Sequence, residues 1–254
     1  MIFGDLTSPD IGRIAATKVA VLPLAAVEQH GDHLPVVTDS AIVTELACRV
    51  ERQLSDHIVL LPTLWAGCSH HHLRFPGTLS LSSDTYVLVI CDLVESLLSS
   101  GFRRIFLLNG HGGNQIPFSE ALYRLALKRS GAKIAAQSYW RLAARELSAQ
   151  NFMSSPNLTH ACEYETSMML ALRNDWVKME KAAGAHPKRD SAFYDPMGYV
   201  PSRVFVSETF ESLSPNGALG SPELATAEKG QRLLEIIETC VVGFLRDFSQ
   251  WPTE

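Results

Sequence analysis

Glu28, His30 and Asp39 follow one apolar run, Val19 to Ala26, and carboxylates and an imidazole at this spacing can hold a metal ion. The run leads into Val27-Glu-Gln-His-Gly-Asp-His-Leu-Pro35 and then Thr38-Asp39-Ser40. On an extended backbone residues i and i+2 project to the same side, so Glu28 and His30 face together, and Asp39 follows within a short loop. Mixed nitrogen and oxygen ligands suit divalent zinc, manganese or iron, and a carboxylate between two ions can bridge them. The expected chemistry is activation of water on metal. Taken singly, Asp39 or Ser40 reads as the N-cap of the helix that follows, and Glu28 as a solvated loop charge. Their occurrence together favours the metal site.

Three further clusters carry candidate chemistry. In Asn109-Gly-His-Gly-Gly-Asn114 the glycines either let His111 approach a metal closely or form an anion-binding turn, and the Lys-Ser/Thr ending and G-x-G-x-x-G spacing of nucleotide loops are absent. In Thr159-His-Ala-Cys-Glu-Tyr-Glu-Thr-Ser167, a helix starting at once would put His160 and Glu163 on one face and send Glu165 elsewhere. The competing account is capping by Thr159, with the acidic residues complementing the helix dipole. In Gly67-Cys-Ser-His-His-His72, consecutive histidines cannot all face one metal from a regular element, so His70 and His71 read as surface or supporting residues. His33 reads as a residue that orients a ligand, and His57 and His186 as surface residues.

Positioning these clusters requires an open sheet. Apolar, β-branched segments at Lys18–Leu24, Ile58–Leu61, Arg104–Leu108 and Lys133–Ser138 alternate with helical periodicity at Ser40–Leu54, Asp84–Ser99 and Pro117–Arg129. The order β-α-β-α-β-α-β predicts an α/β fold, a three-layer α/β/α sandwich with a mainly parallel central sheet. Ligands bind such sheets at the carboxyl ends of the strands, so the first two clusters should face one cleft. Helices are also expected at Cys162–Arg173 and Glu223–Phe248, with loops and short strands across residues 181–222. No repeat or composition break divides the chain, so residues 1–254 are expected to form one domain.

The bulk composition excludes some partners. A formal net charge of -5, dispersed along the chain, gives no footprint for nucleic acid or an anionic membrane. The longest apolar run is too short to span a bilayer and starts late for a signal peptide. The 5 cysteines lack CxxC spacing, which reads as reduced thiols in the cytoplasm.

The ordered motifs Glu28-Gln-His-Gly-x-His-Leu-Pro with Thr38-Asp39, Gly67-x-Ser69-x-x-His72-x-x-Phe-Pro-Gly-Thr78, Asn109-Gly-His-Gly-Gly-Asn114, His160-Ala-x-Glu-x-Glu-Thr-Ser167 and Gly217-x-x-Gly220-x-Pro222 with Ala225-Thr-Ala-Glu-Lys-Gly230 resemble the creatininase (creatinine amidohydrolase) family over nearly the whole chain. The resemblance implies an α/β/α sandwich with a two-metal hydrolytic site, zinc first, manganese or iron otherwise, often in a homohexamer acting on a small-molecule amide. It implies Glu28 and His111 on one ion, His30 on the other, Asp39 bridging, and His160 shuttling a proton to the leaving nitrogen.

Departures from the family pattern bear on substrate. Creatininases proper carry Tyr and Glu after the loop histidine, the Glu being a ligand; this chain has Gly112 and Gly113, and the resemblance assigns the missing ligand to Glu163. Pro156-Asn157 replaces a Trp-Asp pair. The pattern is nearer a His-Gly-Gly branch that includes deformylases of flavin and deazaflavin precursor synthesis and a mycofactocin peptide-processing member. Hydrolysis of a small cyclic amide or formamide is therefore expected, with Trp140 covering the site and Ser69 and His72 either touching substrate or shaping their loop. Creatinine hydrolysis itself, a cysteine hydrolase using Cys162 or Cys68, and a non-catalytic metal-dependent binding protein are the rival readings.

Overall fold

The computed structural model describes residues 1–128, 131–199 and 201–253. Its sheet has strands β1 (Val19–Leu24), β2 (Ile58–Leu60), β3 (Arg104–Asn109) and β4 (Lys133–Ser138), all parallel, in the order β2-β1-β3-β4. Helices α1 (Ser8–Ile14), α2 (Thr38–Leu54), α3 (Ser83–Ser99) and α4 (Gln115–Ala126) are interleaved with the strands. Beyond the sheet come α5 (Tyr139–Leu142), α6 (Ala144–Ser148), α7 (Glu163–Arg173), α8 (Phe210–Leu213) and α9 (Ala227–Phe248). The expected end of the fourth helix at Arg129 lies outside the described residues. Among the described residues no helix is long and apolar enough to cross a membrane.

Strand periodicity explains the layers. Val19, Val21, Ile58, Leu60, Phe106 and Leu108 point into one core with α2, α7 and α9. Ala20, Leu22, Leu24, Val59, Ile105 and Leu107 point into the other, with α3 and α4. Successive side chains alternate faces, so a sheet covered on both sides needs apolar residues at every position, as β1 has. Pro23 is tolerated in this central strand because of where it falls. Its carbonyl accepts from Leu64 N–H, so its donorless nitrogen faces the side on which β2 has already ended.

The chain runs from β1 to β2 on one side and then starts β3 on the other side of β1. The crevice between the carboxyl ends of β1 and β3 is thus the topological switch point, where open α/β sheets bind ligands. Leu24 and Asn109 are register partners there.

Candidate metal centre

The loop after β1 is held extended by Glu28 N–H donating to Val36 O and by a bridge between Val27 and Leu79. Glu28 and His30 leave it on one side, both 1% exposed. His30 Nδ1 lies 3.2 Å from Glu28 O, a contact that keeps a proton on Nδ1 and turns Nε2 inward, where a cation would displace any proton it carries. Asp39 does not cap α2: the N-cap is Val37, without a side-chain bond, and Asp39 sits in the first turn with its carboxylate directed at the histidines. Asp39 Oδ1 is 3.1 Å from His30 Nε2 and Oδ2 is 3.0 Å from His111 Nδ1.

His111 is fixed from behind. Its Nε2 is 3.1 Å from Cys68 O and 3.2 Å from Ser69 Oγ, leaving Nδ1 to face Asp39 and Glu28 Oε1, the latter at 3.3 Å. The loop carrying it is pinned by Asn109, whose Nδ2 donates to His111 O and Ser138 Oγ, and by Asn114, which donates to Ala25 O and to Asn109 Oδ1. Gly113 is required by crowding: a Cβ there would collide with Cys68 O and lie 2.5 Å from His111 Nε2. A glutamate at that position would force Cys68 O or the His111 ring to move.

The structure does not bring Glu163, expected to supply the missing ligand, to the cluster. His160 precedes α7 in an extended segment bridged to Leu219, and Ala161 turns the chain at φ 50°, so His160 and Glu163 do not share a helical face. Glu163 turns away from the cluster and accepts from Lys229 Nζ at 2.6 Å, Ser155 N–H at 2.7 Å and Ser154 N–H at 3.0 Å. Glu165, expected to point elsewhere, faces the site instead; it can share one ion with His30 and His160. Two residues along an α-helix is about 200° of rotation, which separates the two carboxylates.

The side chains fit divalent cations. Glu28 Oε2, His30 Nε2, Asp39 Oδ2 and Glu165 Oε2 are buried without a hydrogen-bond partner, although His30 Nε2 and Asp39 Oδ2 lie 3.1 Å and 3.0 Å from an oppositely charged neighbour. No Lys or Arg pairs with Glu28, Asp39 or Glu165 among the described residues. Burying unneutralised carboxylates costs on the order of several kcal/mol each, which bound cations would offset. The electrostatics agree. Burial alone would lower His30, but Asp39, Glu165 and Glu28 hold it up at about 9. Burial is likewise overridden at His111, raised well above the ordinary range by Glu28 and Asp39. Burial pushes Glu165 up to about 7, with His30 pulling against it. The field of this cluster favours added positive charge. Burial and neighbouring histidines push His72 down to about 3 and His160 well below the ordinary range, so both rings stay neutral.

Above the cluster lies a cleft of about 380 Å³, lined in part by His71, His72, Trp140, His160 and Phe210. That is the size of a small-molecule site. His71, expected at the surface or in a supporting place, stacks on His111 with ring centroids 5.8 Å apart. Phe210 lies 4.0 Å from the His72 ring and 4.9 Å from that of His160. Tyr194 and Met197 complete the rim from the irregular segment 181–222, where no sequence periodicity marked them. Ser69 is behind His111 rather than on the cleft wall, and His33 bonds Thr166 Oγ1 at 2.8 Å. Cys162 is buried and its thiol pushed up to about 12 by desolvation, which unsuits it as a nucleophile.

A parallel α/β sandwich with a buried cluster of carboxylates and imidazoles at its switch point defines the class, one whose strand ends can hold divalent cations. Within that class the chain belongs to the creatininase family, whose model, described as creatinine amidohydrolase, matches residues 4–245. It is 30% identical to a creatinine amidohydrolase of Pseudomonas putida, across 94% of this chain and 93% of that one. It is 28% identical to a mycofactocin precursor peptide peptidase of Mycobacterium tuberculosis, across 94% and 90%. It is 25% identical to a 3-dehydro-scyllo-inosose hydrolase of Thermotoga maritima, across 94% and 80%. Among solved structures, a creatinine amidohydrolase superposes with a TM-score of 0.79 at 25% identity, covering 99% of this chain and 98% of the other. Two further creatininase structures, a Zn-Zn form of a mutant and a Mn form, each reach 0.76 at 25% and 26% identity, with 97% of both chains covered.

Proposed function

We propose that this protein is an amidohydrolase that uses two divalent ions, zinc first and manganese or iron otherwise, to cleave a non-peptide C–N bond in a small cyclic amide or formamide. The observation that carries the reading is the convergence of unbonded, buried ligand atoms from Glu28, His30, Asp39 and Glu165, with His111 Nδ1 beside them. Glu28 and His111 would hold one ion, His30 and Glu165 the other, and Asp39, with one oxygen toward each histidine, would bridge. Such ions supply acidified water and polarise a carbonyl.

The chain's own residues do the rest. His160, neutral and within 3.6 Å of Glu28 through Nδ1, takes a proton at that atom and returns it to the leaving nitrogen. His71, His72, Trp140 and Phe210 wall the substrate and exclude bulk water. The substrate reading follows from the same walls. Gly112 has nothing within 4 Å of where a Cβ would stand, so the loop adds no side chain over the cleft there. Pro156-Asn157 likewise brings no aromatic ring, which favours substrates other than creatinine and supports membership of the His-Gly-Gly branch. The whole chain acts as one domain in a homo-oligomeric cytoplasmic enzyme under this reading.

The test is hydrolysis by zinc- or manganese-loaded protein across lactams, cyclic ureas and formamides, with creatinine included. Turnover that disappears with a chelator and returns with metal supports the reading. Efficient cleavage of creatinine alone would overturn its substrate half. Two bound metals, no turnover and one tightly held ligand would favour a binding protein.

A further inference from the structure

Gln29, in the first motif, is 5% exposed and lies between two histidines of the cleft. Its amide orientation is fixed at both ends. Oε1 accepts from Gly31 N–H at 2.9 Å, and Nε2 lies 3.1 Å from Gly217 O, so oxygen and nitrogen cannot be exchanged. The same Nε2 is 2.8 Å from His72 Nδ1 and 3.0 Å from His160 Nε2. An amide nitrogen has only two protons, and these three neighbours compete for them.

One assignment satisfies the Gln29 amide, the Gln29 backbone oxygen and the two ring nitrogens beside them. His160 Nε2 is 2.9 Å from the Gln29 backbone oxygen, which can only accept. His160 Nε2 therefore carries a proton, and the Gln29 amide cannot also donate to it. The two amide protons go to Gly217 O and His72 Nδ1. A bare His160 Nε2 would instead leave the Gln29 carbonyl without a donor and deprive either Gly217 or His72 of one, and a buried polar group left without its partner is destabilising.

We propose that Gln29 is a positioning residue that fixes the tautomers of His72 and His160, leaving His160 bare at Nδ1 and His72 protonated at Nε2. His160 Nδ1 then faces Glu28 Oε1 and the cleft, and can receive a proton without turning its ring. His72 directs Nε2–H toward Glu28 Oε1 at 3.5 Å and has no lone pair there for a metal, although its position alone would admit it to a ligand group with Glu28 and His160. Gly217 belongs to the same device. Its φ is 82° and a Cβ there would collide with the Gln29 amide, so glycine in the late motif is what lets the amide reach both rings.

The tautomers stand on hydrogen-bond geometry alone, whereas their part in turnover rests on the hydrolase reading. The test is long-range proton–nitrogen NMR on full-length protein labelled with nitrogen-15 histidine, with and without zinc, His72 and His160 being assigned from single His→Gln variants. The expected spectrum has both rings protonated at Nε2. In Gln29→Glu the acceptor-only carboxylate should move the His72 proton to Nδ1 and lower kcat about 10²-fold with metal content kept. Wild-type His72 protonated at Nδ1, or unchanged tautomers in Gln29→Glu, would overturn the proposal. If that variant does not fold, the wild-type spectrum decides by itself. Expected tautomers in a protein that hydrolyses no amide would instead sink the hydrolase reading and leave this one standing.

Discussion

Glu163 and Glu165, two residues apart at the start of α7, send their carboxylates to different parts of the protein: Glu163 to Lys229 at 2.6 Å, Glu165 to the histidine cluster. Glu165→Gln should therefore lose at least one metal equivalent and most activity, since it removes a carboxylate from the proposed ligand set. Glu163→Gln should keep the wild-type metal content. Dialysed protein analysed for metal content separates the two, and metal loss in Glu163→Gln with retention in Glu165→Gln would reverse the assignment.

Glu163 has a stability role with a definite pH dependence. Against the burial that would raise it, Lys229, Ser155 and Ser154 hold its carboxyl below the ordinary value of 4.5. A group with a lowered folded pKa contributes stability above its unfolded pKa and loses it as pH falls through the folded one. Lys229→Met should cost about 1–3 kcal/mol at neutral pH. The gap in denaturation midpoint from wild type should begin to narrow as the pH falls below 4.5 and close only at pH values below the lowered folded value. A gap that persists or widens in acid would contradict this role.

Ser69 lies 3.2 Å from His111 Nε2 and off the cleft wall, so Ser69→Ala should weaken metal affinity by about 10-fold or less and leave KM unchanged. Trp140→Ala, on the wall, should raise KM and leave metal affinity alone. Titration with zinc and steady-state kinetics on both variants check the contrast. A KM effect confined to Ser69→Ala would return that residue to the substrate side.

Gly113→Glu should not supply a further ligand to the cluster. Its Cβ meets Cys68 O and the His111 ring, so the variant should lose about 1–3 kcal/mol or more of stability and bind metal less tightly. Chemical denaturation with metal analysis gives the answer, and a stable variant with tighter zinc binding would refute it.

The layers were legible because apolar strand runs and amphipathic helices alternate strictly, and β1 to β4 differ from their expected ranges by a residue at most at either end. Glu28, His30, Asp39 and His111 were legible for a related reason. Each follows a strand or opens a helix, so one rule about carboxyl ends of strands brings them together. Glu165 was not legible, because its direction depends on the turn at Ala161, where an alanine at φ 50° carries no mark in sequence. His71 was set aside by a rule for regular elements that the short 3₁₀ turn His70–His72 does not obey. Phe210, Tyr194 and Met197 come from a segment without periodicity, and only tertiary packing carries them to the rim.

The central claim is a dinuclear centre bridged by Asp39, whose oxygens stand 3.1 Å from His30 and 3.0 Å from His111. The metal-to-protein ratio of wild type and Asp39→Ala after zinc loading and dialysis tests it most directly. The account predicts about two zinc ions per wild-type chain and close to none in a folded Asp39→Ala protein. A folded Asp39→Ala that keeps the wild-type ratio would contradict it.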